Sequence, residues 1–88
     1  MMRREGQRVL IEGAVTATTH VALRAAAAAL LDDATVVDWD RVDSVDSSAL
    51  SLLLAWRRRY GGRLEFQHLP VGLTALAELY GIKDLLDT

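Results

Sequence analysis

The spacing of apolar residues changes several times along this 88-residue chain, and each change predicts a new element. Met1 to Arg4 and Arg8 to Glu12 flank Glu5-Gly6-Gln7, a short connection containing glycine, which predicts an antiparallel hairpin. Leu23, Ala26, Ala27 and Leu30 then recur at helical spacing in an alanine-rich run, so a helix is expected from a cap at Thr18 or Thr19 to about Leu31. Thr35-Val36-Val37-Asp38-Trp39 is a short β-branched run suited to a buried strand, with Asp38-Trp39-Asp40-Arg41 leading off its end.

Asp46 or Ser47 can cap a second helix that continues to Tyr60 and stops at Gly61-Gly62. Arg63 to Gln67 alternates polar and apolar positions and reads as another strand. Pro70 opens a third helix with Leu73, Leu76, Ala77 and Tyr80 on its inner stripe and Gly81 as its stop; the tail Ile82 to Leu86 is expected to fold back against it. The order is β-β-α-β-α-β-α. Strands joined by helical crossovers imply right-handed βαβ units, so the expected architecture is α/β, a mixed sheet of about four strands with three or more helices packed on it. No internal repeat or linker interrupts the pattern, and residues 1–88 are read as one domain.

The second helix carries the most information about function. At about 100° per residue, Ala49, Leu52, Leu53, Trp56 and Tyr60 gather on the side expected to pack on the sheet. The opposite side holds Ser47, Ser51 and Ala55, with Leu54 on one flank, Ser48 and Arg59 on the other, and Arg58 below. An ordinary exposed helix face carries glutamates and lysines. Small side chains instead let another backbone approach closely, and arginines at the end can pair with carboxylates at an interface rim.

Composition narrows the field. A net charge of -2 supplies no overall positive field for nucleic acid or anionic lipid. Without cysteine there is no disulfide framework and no thiolate site, which fits a reducing compartment. The start, MMRREGQRV, is charged where a signal peptide needs an apolar core, so a cytoplasmic protein is expected. The longest apolar run, Ala25 to Leu31, falls far below the roughly 20 residues of a bilayer span, and any membrane link is expected to pass through a partner.

Candidate chemistry is sparse. Asp38-Trp39-Asp40-Arg41-Val42 after a strand is similar to the nucleophile loop of haloacid-dehalogenase phosphatases, but the further acidic and lysine motifs of that fold have no place here. Asp38, Asp40, Asp43 and Asp46 lack the central glycine and the twelfth-position glutamate of an EF-hand loop. Solvated loop carboxylates and a helix cap are the expected roles. His20 and His68 stand alone, without a spaced metal partner, and read as surface or partly packed imidazoles. Arg57-Arg58-Arg59 lies in the last turn of the second helix, where cations meet the dipole favourably. No P-loop or dinucleotide fingerprint occurs, so no enzyme activity, metal or cofactor is expected.

Ser47 and Ser48 sit among the unpaired N–H groups that open the second helix. A cap is the structural role; a phosphate acceptor is the regulatory one, since helix N-termini accommodate phosphate and the added charge beside Asp46 would tend to expel a docked partner. Both readings stand on the sequence.

Asp38-Trp39-Asp40-Arg41-Val42 followed by Val45-Asp46-Ser47-Ser48-Ala49-Leu50-Ser51-Leu52-Leu53 resembles the signature of STAS domains, the fold of anti-sigma factor antagonists and sulfate-transporter tails. Leu50-Ser51-Leu52-Leu53-Leu54 and Leu76-Ala77-Glu78-Leu79-Tyr80-Gly81-Ile82 most resemble the MlaB branch, small cytoplasmic subunits of the Mla phospholipid ABC transporter that maintains outer-membrane lipid asymmetry. The resemblance implies a non-enzymatic subunit at the inner face of the inner membrane that binds and supports the ATPase MlaF, with a hydroxyl residue matching Ser47 at the contact. On this helix the implied partner face is Ser47, Ser48, Ser51, Leu54, Ala55 and Arg58. The other branch implies an anti-sigma factor antagonist in which Ser48 accepts phosphate from a kinase-like anti-sigma factor. Two departures bear on that choice. Ala49 stands where those antagonists carry glycine, and Ser47-Ser48 stands where MlaB-like chains carry threonine and a small residue.

Overall fold

The computed structural model describes residues 1–82, and its elements follow the order that periodicity predicts. Strands β1 (Met2–Glu5), β2 (Arg8–Val15), β3 (Val36–Val45) and β4 (Glu65–Gln67) form one sheet in the order β1-β2-β3-β4. β1 runs antiparallel to β2, and β2, β3 and β4 are mutually parallel. Helices α1 (His20–Leu30), α2 (Ser47–Tyr60) and α3 (Val71–Leu79) complete the fold. The hairpin is tighter than expected: Glu5 pairs with Arg8, and Gly6 takes the left-handed φ of 63° that the turn requires.

Alternation sorts the sheet into two unlike faces. Val9, Ile11, Val37 and Trp39 are buried together with Leu23 and Ala27 of α1, Leu52, Leu53 and Trp56 of α2, and Leu73 and Ala77 of α3. The other face carries Arg3, which pairs with Glu5 and Glu12, and Arg8, which pairs with Asp38 and donates to Gln67. The helices therefore cover one face and an ion-pair lattice solvates the other. Of the α2 inner side, Ala49, Leu52, Leu53 and Trp56 are buried as expected and Tyr60 is half-buried. Leu50, about 100° off that stripe, is buried as well.

Several expectations are corrected. The third strand extends to Val45, so Asp38, Asp40 and Asp43 lie in a strand and not in a loop. Its pairing with β2 slips twice, between Leu10 and Glu12 and between Gly13 and Ala14, each time leaving one extra residue on β3. Those bulges turn Val42 and Val45 toward the core after Trp39, at spacings of three instead of two. Thr19 is the residue before α1, but its hydroxyl donates to Ala14 O and accepts from Thr16 N–H and makes no cap bond to the helix. Tyr80, assigned to the inner stripe of α3, is exposed. The fourth strand begins at Glu65 because Gly61–Arg63 forms a 3-10 turn. Ile82 packs on the core, and the rest of the expected tail lies outside the described residues.

The second helix is anchored at its start by one carboxylate. Asp46 accepts from the Ser48 N–H at 2.8 Å and from the Ala17 N–H at 3.0 Å, joining the first turn of α2 to the loop that leads into α1. The Ala17 N–H, then the Ser48 N–H and hydroxyl, favour the ionised form and outweigh the slight burial that opposes it, so the Asp46 carboxyl is held below its ordinary 3.8. On the far side of the helix, Gly61 closes the last turn at φ 61° with its N–H on Arg57 O.

Two outcomes follow from this packing. Leu53→Ala removes a fully buried side chain and lowers unfolding free energy by about 2–5 kcal/mol in urea denaturation, whereas Leu79→Ala, at an exposed site, changes it by less than about 0.5 kcal/mol. Because Asp46 has a depressed folded pKa, its contribution is complete above about pH 4 and drains away as pH falls through the folded value. Asp46→Asn keeps a capping oxygen without the titration, so its stability loss between neutral and acidic pH is smaller than that of the wild type. Equal losses in thermal melts of the two proteins would remove this account.

Candidate functional site

With its leucines and Trp56 turned inward, α2 presents the remaining side outward. Ser47, Ser51 and Arg58 are exposed, and Ser48, Leu54 and Ala55 are half-buried. The inward side is fixed by Trp56 meeting Trp39 of β3 edge to face, with ring centroids 6.2 Å apart. All six candidate residues thus lie on α2, and the structure divides them into two groups.

The first group is the helix start. Ser47 is exposed, while the half-buried Ser48 donates its N–H to the Asp46 carboxylate that caps the helix. The second group lines a groove. Ser51, Leu54, Ala55 and Arg58 of α2 combine with Arg24, Ala27 and Ala28 of α1, and with Arg59 and Tyr60, around an open space of about 660 Å³. Small side chains from both helices line it, so another chain can approach the backbones closely.

The arginines at the end of α2 have separate surroundings. The Arg57 guanidinium lies 5.2 Å from the Phe66 ring centre, and the Tyr60 ring is approached by Arg59 at 5.5 Å and Arg63 at 5.2 Å. Arg63 donates to Ala34 O in the following loop and to Leu31 O at the C-cap of α1, and Arg4 donates to Leu30 O, so two cations serve the carbonyl end of α1, which has no basic residue of its own in its last turn. No ion pair among the described residues engages Arg24, Arg58 or Arg59.

The aspartates of the strand do not converge on a site. Asp38 sits on the polar face of the sheet, 3.2 Å from Arg8 Nη1 and 2.8 Å from His68 Nδ1. Burial pushes its carboxyl up, but the His68 ring, the Asp40 N–H and Arg8 together hold it below the ordinary value. His68 reaches this position from a left-handed backbone, φ 58°, a conformation uncommon for a residue with a Cβ. Among the described residues no group of three or more acidic, histidine or cysteine side chains is placed to hold a metal ion.

Sequence reasoning places Arg59 on the flank of the outward face but misses Arg24, Ala28 and Tyr60 as groove residues. Arg24, Ala27 and Ala28 share one side of α1 by spacing, but nothing in the order of residues says that this side faces α2. That juxtaposition is a product of the two crossovers and becomes visible only in the fold.

A family model described as Mlab, STAS domain, matches residues 1–87, nearly the whole chain. No curated protein matches it. Among the described residues no helix is long and apolar enough to cross a membrane. The strand order, the capped helix after Asp46 and the match across the chain agree, and the chain belongs to the STAS family, as a domain of the MlaB type.

Proposed function

We propose that this chain is a non-enzymatic cytoplasmic STAS subunit that docks the ATPase of a phospholipid-transporting ABC complex through the outward side of α2, and so supports maintenance of outer-membrane lipid asymmetry. The observation that carries the reading is the two-sidedness of α2. Leu50, Leu52, Leu53 and Trp56 are consumed by the core, while Ser47, Ser48, Ser51 and Ala55, flanked by the half-buried Leu54 and by Arg58, form a face of mostly small side chains without a carboxylate. Family membership supports the transporter as its setting, since MlaB-type domains are accessory subunits of such complexes. The contribution to the complex is mechanical: a rigid helix start and a close-approach surface, held at one end of a small α/β body.

The competing reading, a partner switch with phosphate on Ser48, meets an obstacle in the same geometry. The Asp46 carboxylate is held on the Ser48 N–H, and a phosphate on that same residue would set about 1.5 to 2 negative charges close to it. Incubation with a kinase-type anti-sigma factor and ATP is expected to leave Ser48 unmodified by mass spectrometry, and stoichiometric phosphate at Ser48 would overturn this preference.

The docking reading is tested by co-purification with an MlaF-type ATPase subunit from the same organism. Ser51→Arg and Ala55→Arg each place a long charged side chain on the face without touching the fully buried leucines, so both are expected to fold with unchanged melting temperature and to lose the ATPase. Retention of the ATPase by both folded variants would move the docking surface elsewhere.

A further inference from the structure

We propose that the groove between α1 and α2 receives an acidic segment of the docked ATPase, with its carboxylates held by Arg24, Arg58 and Arg59. This rests on the docking reading and names the chemistry that the partner must bring.

Charge placement is the argument. Arg3, Arg8, Arg4 and Arg63 all find acceptors within the fold: carboxylates for the first two, main-chain carbonyls for the others. Arg24, Arg41, Arg58 and Arg59 join none of the ion pairs among the described residues; Arg41 lies apart on β3, whereas the other three line the same groove, which has no acidic residue in its lining. The chain as a whole carries a net charge of -2, so this concentration of cations runs against its average. Three guanidiniums drawn from two elements define a binding potential for anionic groups, and their planar forks match carboxylates in a bidentate way. Arg59 is additionally steadied over the Tyr60 ring, which reduces the freedom lost when it binds.

Shape favours a peptide segment over a lipid headgroup. Ser51 and Arg59 are separated by about 12 Å along α2 at the usual helical rise, longer than a single headgroup phosphate needs. Between the arginines the groove presents Ala27, Ala28, Ser51 and Ala55, small enough for a backbone to lie close and bring acidic side chains within reach. The large exposed apolar residues Val21, Val71 and Leu79 do not line it, and the apolar residues that do, Leu54, Trp56 and Tyr60, are half-buried or buried against the core, so it lacks the exposed apolar insertion points of a membrane-binding surface.

The test uses the full chain and its ATPase subunit, with affinity measured at about 50 mM and about 300 mM salt. Wild-type binding is expected to weaken about tenfold across that range, and the Arg58→Glu/Arg59→Glu double variant to bind about tenfold more weakly at low salt with most of the salt dependence gone. Replacing a surface Asp or Glu of the ATPase by Lys should restore binding to that double variant. A folded double variant that binds within about twofold of wild type with the same salt response overturns the inference; if Ser51→Arg still abolishes binding, docking by α2 survives without the acidic segment. Failure of the wild-type chain to bind the ATPase removes both. Vesicles containing phosphatidylglycerol are the remaining arm: no binding is expected, and binding that the double variant loses would assign the arginines to a lipid surface instead.

Discussion

Everything on the outward side of this molecule depends on how α2 is seated. Leu52 and Leu53 are fully buried, and Trp56 meets Trp39 edge to face across the helix-sheet boundary. Rotating α2 by one residue, about 100°, would bring these side chains toward water and drive Ser51 or Ala55 into the core, forfeiting about 1.5–3 kcal/mol for each large apolar side chain exposed. Orientation is therefore set by the inner side, and the outer side inherits it. Ser51, Ala55 and Arg58 face outward because the buried leucines and Trp56 occupy the inward side.

A second constraint sets where the helix begins. The Asp46 carboxylate binds an N–H of α2 with one oxygen and the Ala17 N–H with the other, so a single side chain registers α2 against the segment that delivers α1. The groove between the two helices is a consequence of that registration. The opposite face of the sheet shows what the chain does with charge when no partner is involved: Arg3, Arg8 and His68 are each set against carboxylates from neighbouring strands. The contrast between a neutralised face and an unneutralised groove is informative because one sequence made both.

Most of the fold was legible because each element repeats at its own period and ends at a recognisable residue. The parts that were not legible share a cause. β3 reads as a strand only to Trp39, since its later inward positions, Val42 and Val45, follow bulges that shift alternation by one residue at a time, and the exposed Asp40 and Asp43 between them look like a loop. Beyond Asp38 this strand pairs only with β2, so its polar side chains reach solvent from within the sheet. The placement of the six α2 residues on the side away from the core was legible from helical geometry alone, because a helix face is a local property. Arg24 and Ala28 were not, because a groove is made by two elements whose relative placement depends on long-range pairing. His68 was invisible for a similar reason: its carboxylate partner is distant in sequence and its backbone conformation is unusual for its residue type.

Ala49 bears on what the helix start is for. Where anti-sigma antagonists resembling this chain carry glycine, this residue is fully buried and its methyl group fills part of the core. Alanine is favoured over glycine by about 1 kcal/mol within a helix, so the first turn here is less easily unwound. Ser48 beside it spends its N–H on Asp46. A segment meant to respond to phosphate gains from a first turn that yields at modest energy, and its acceptor should be free to leave its neighbours. This turn has the opposite properties: the cap is closed, the third residue is locked in the core, and the exposed Ser47 is left as the hydroxyl facing outward. Those features suit a fixed helix start better than one that yields to phosphate.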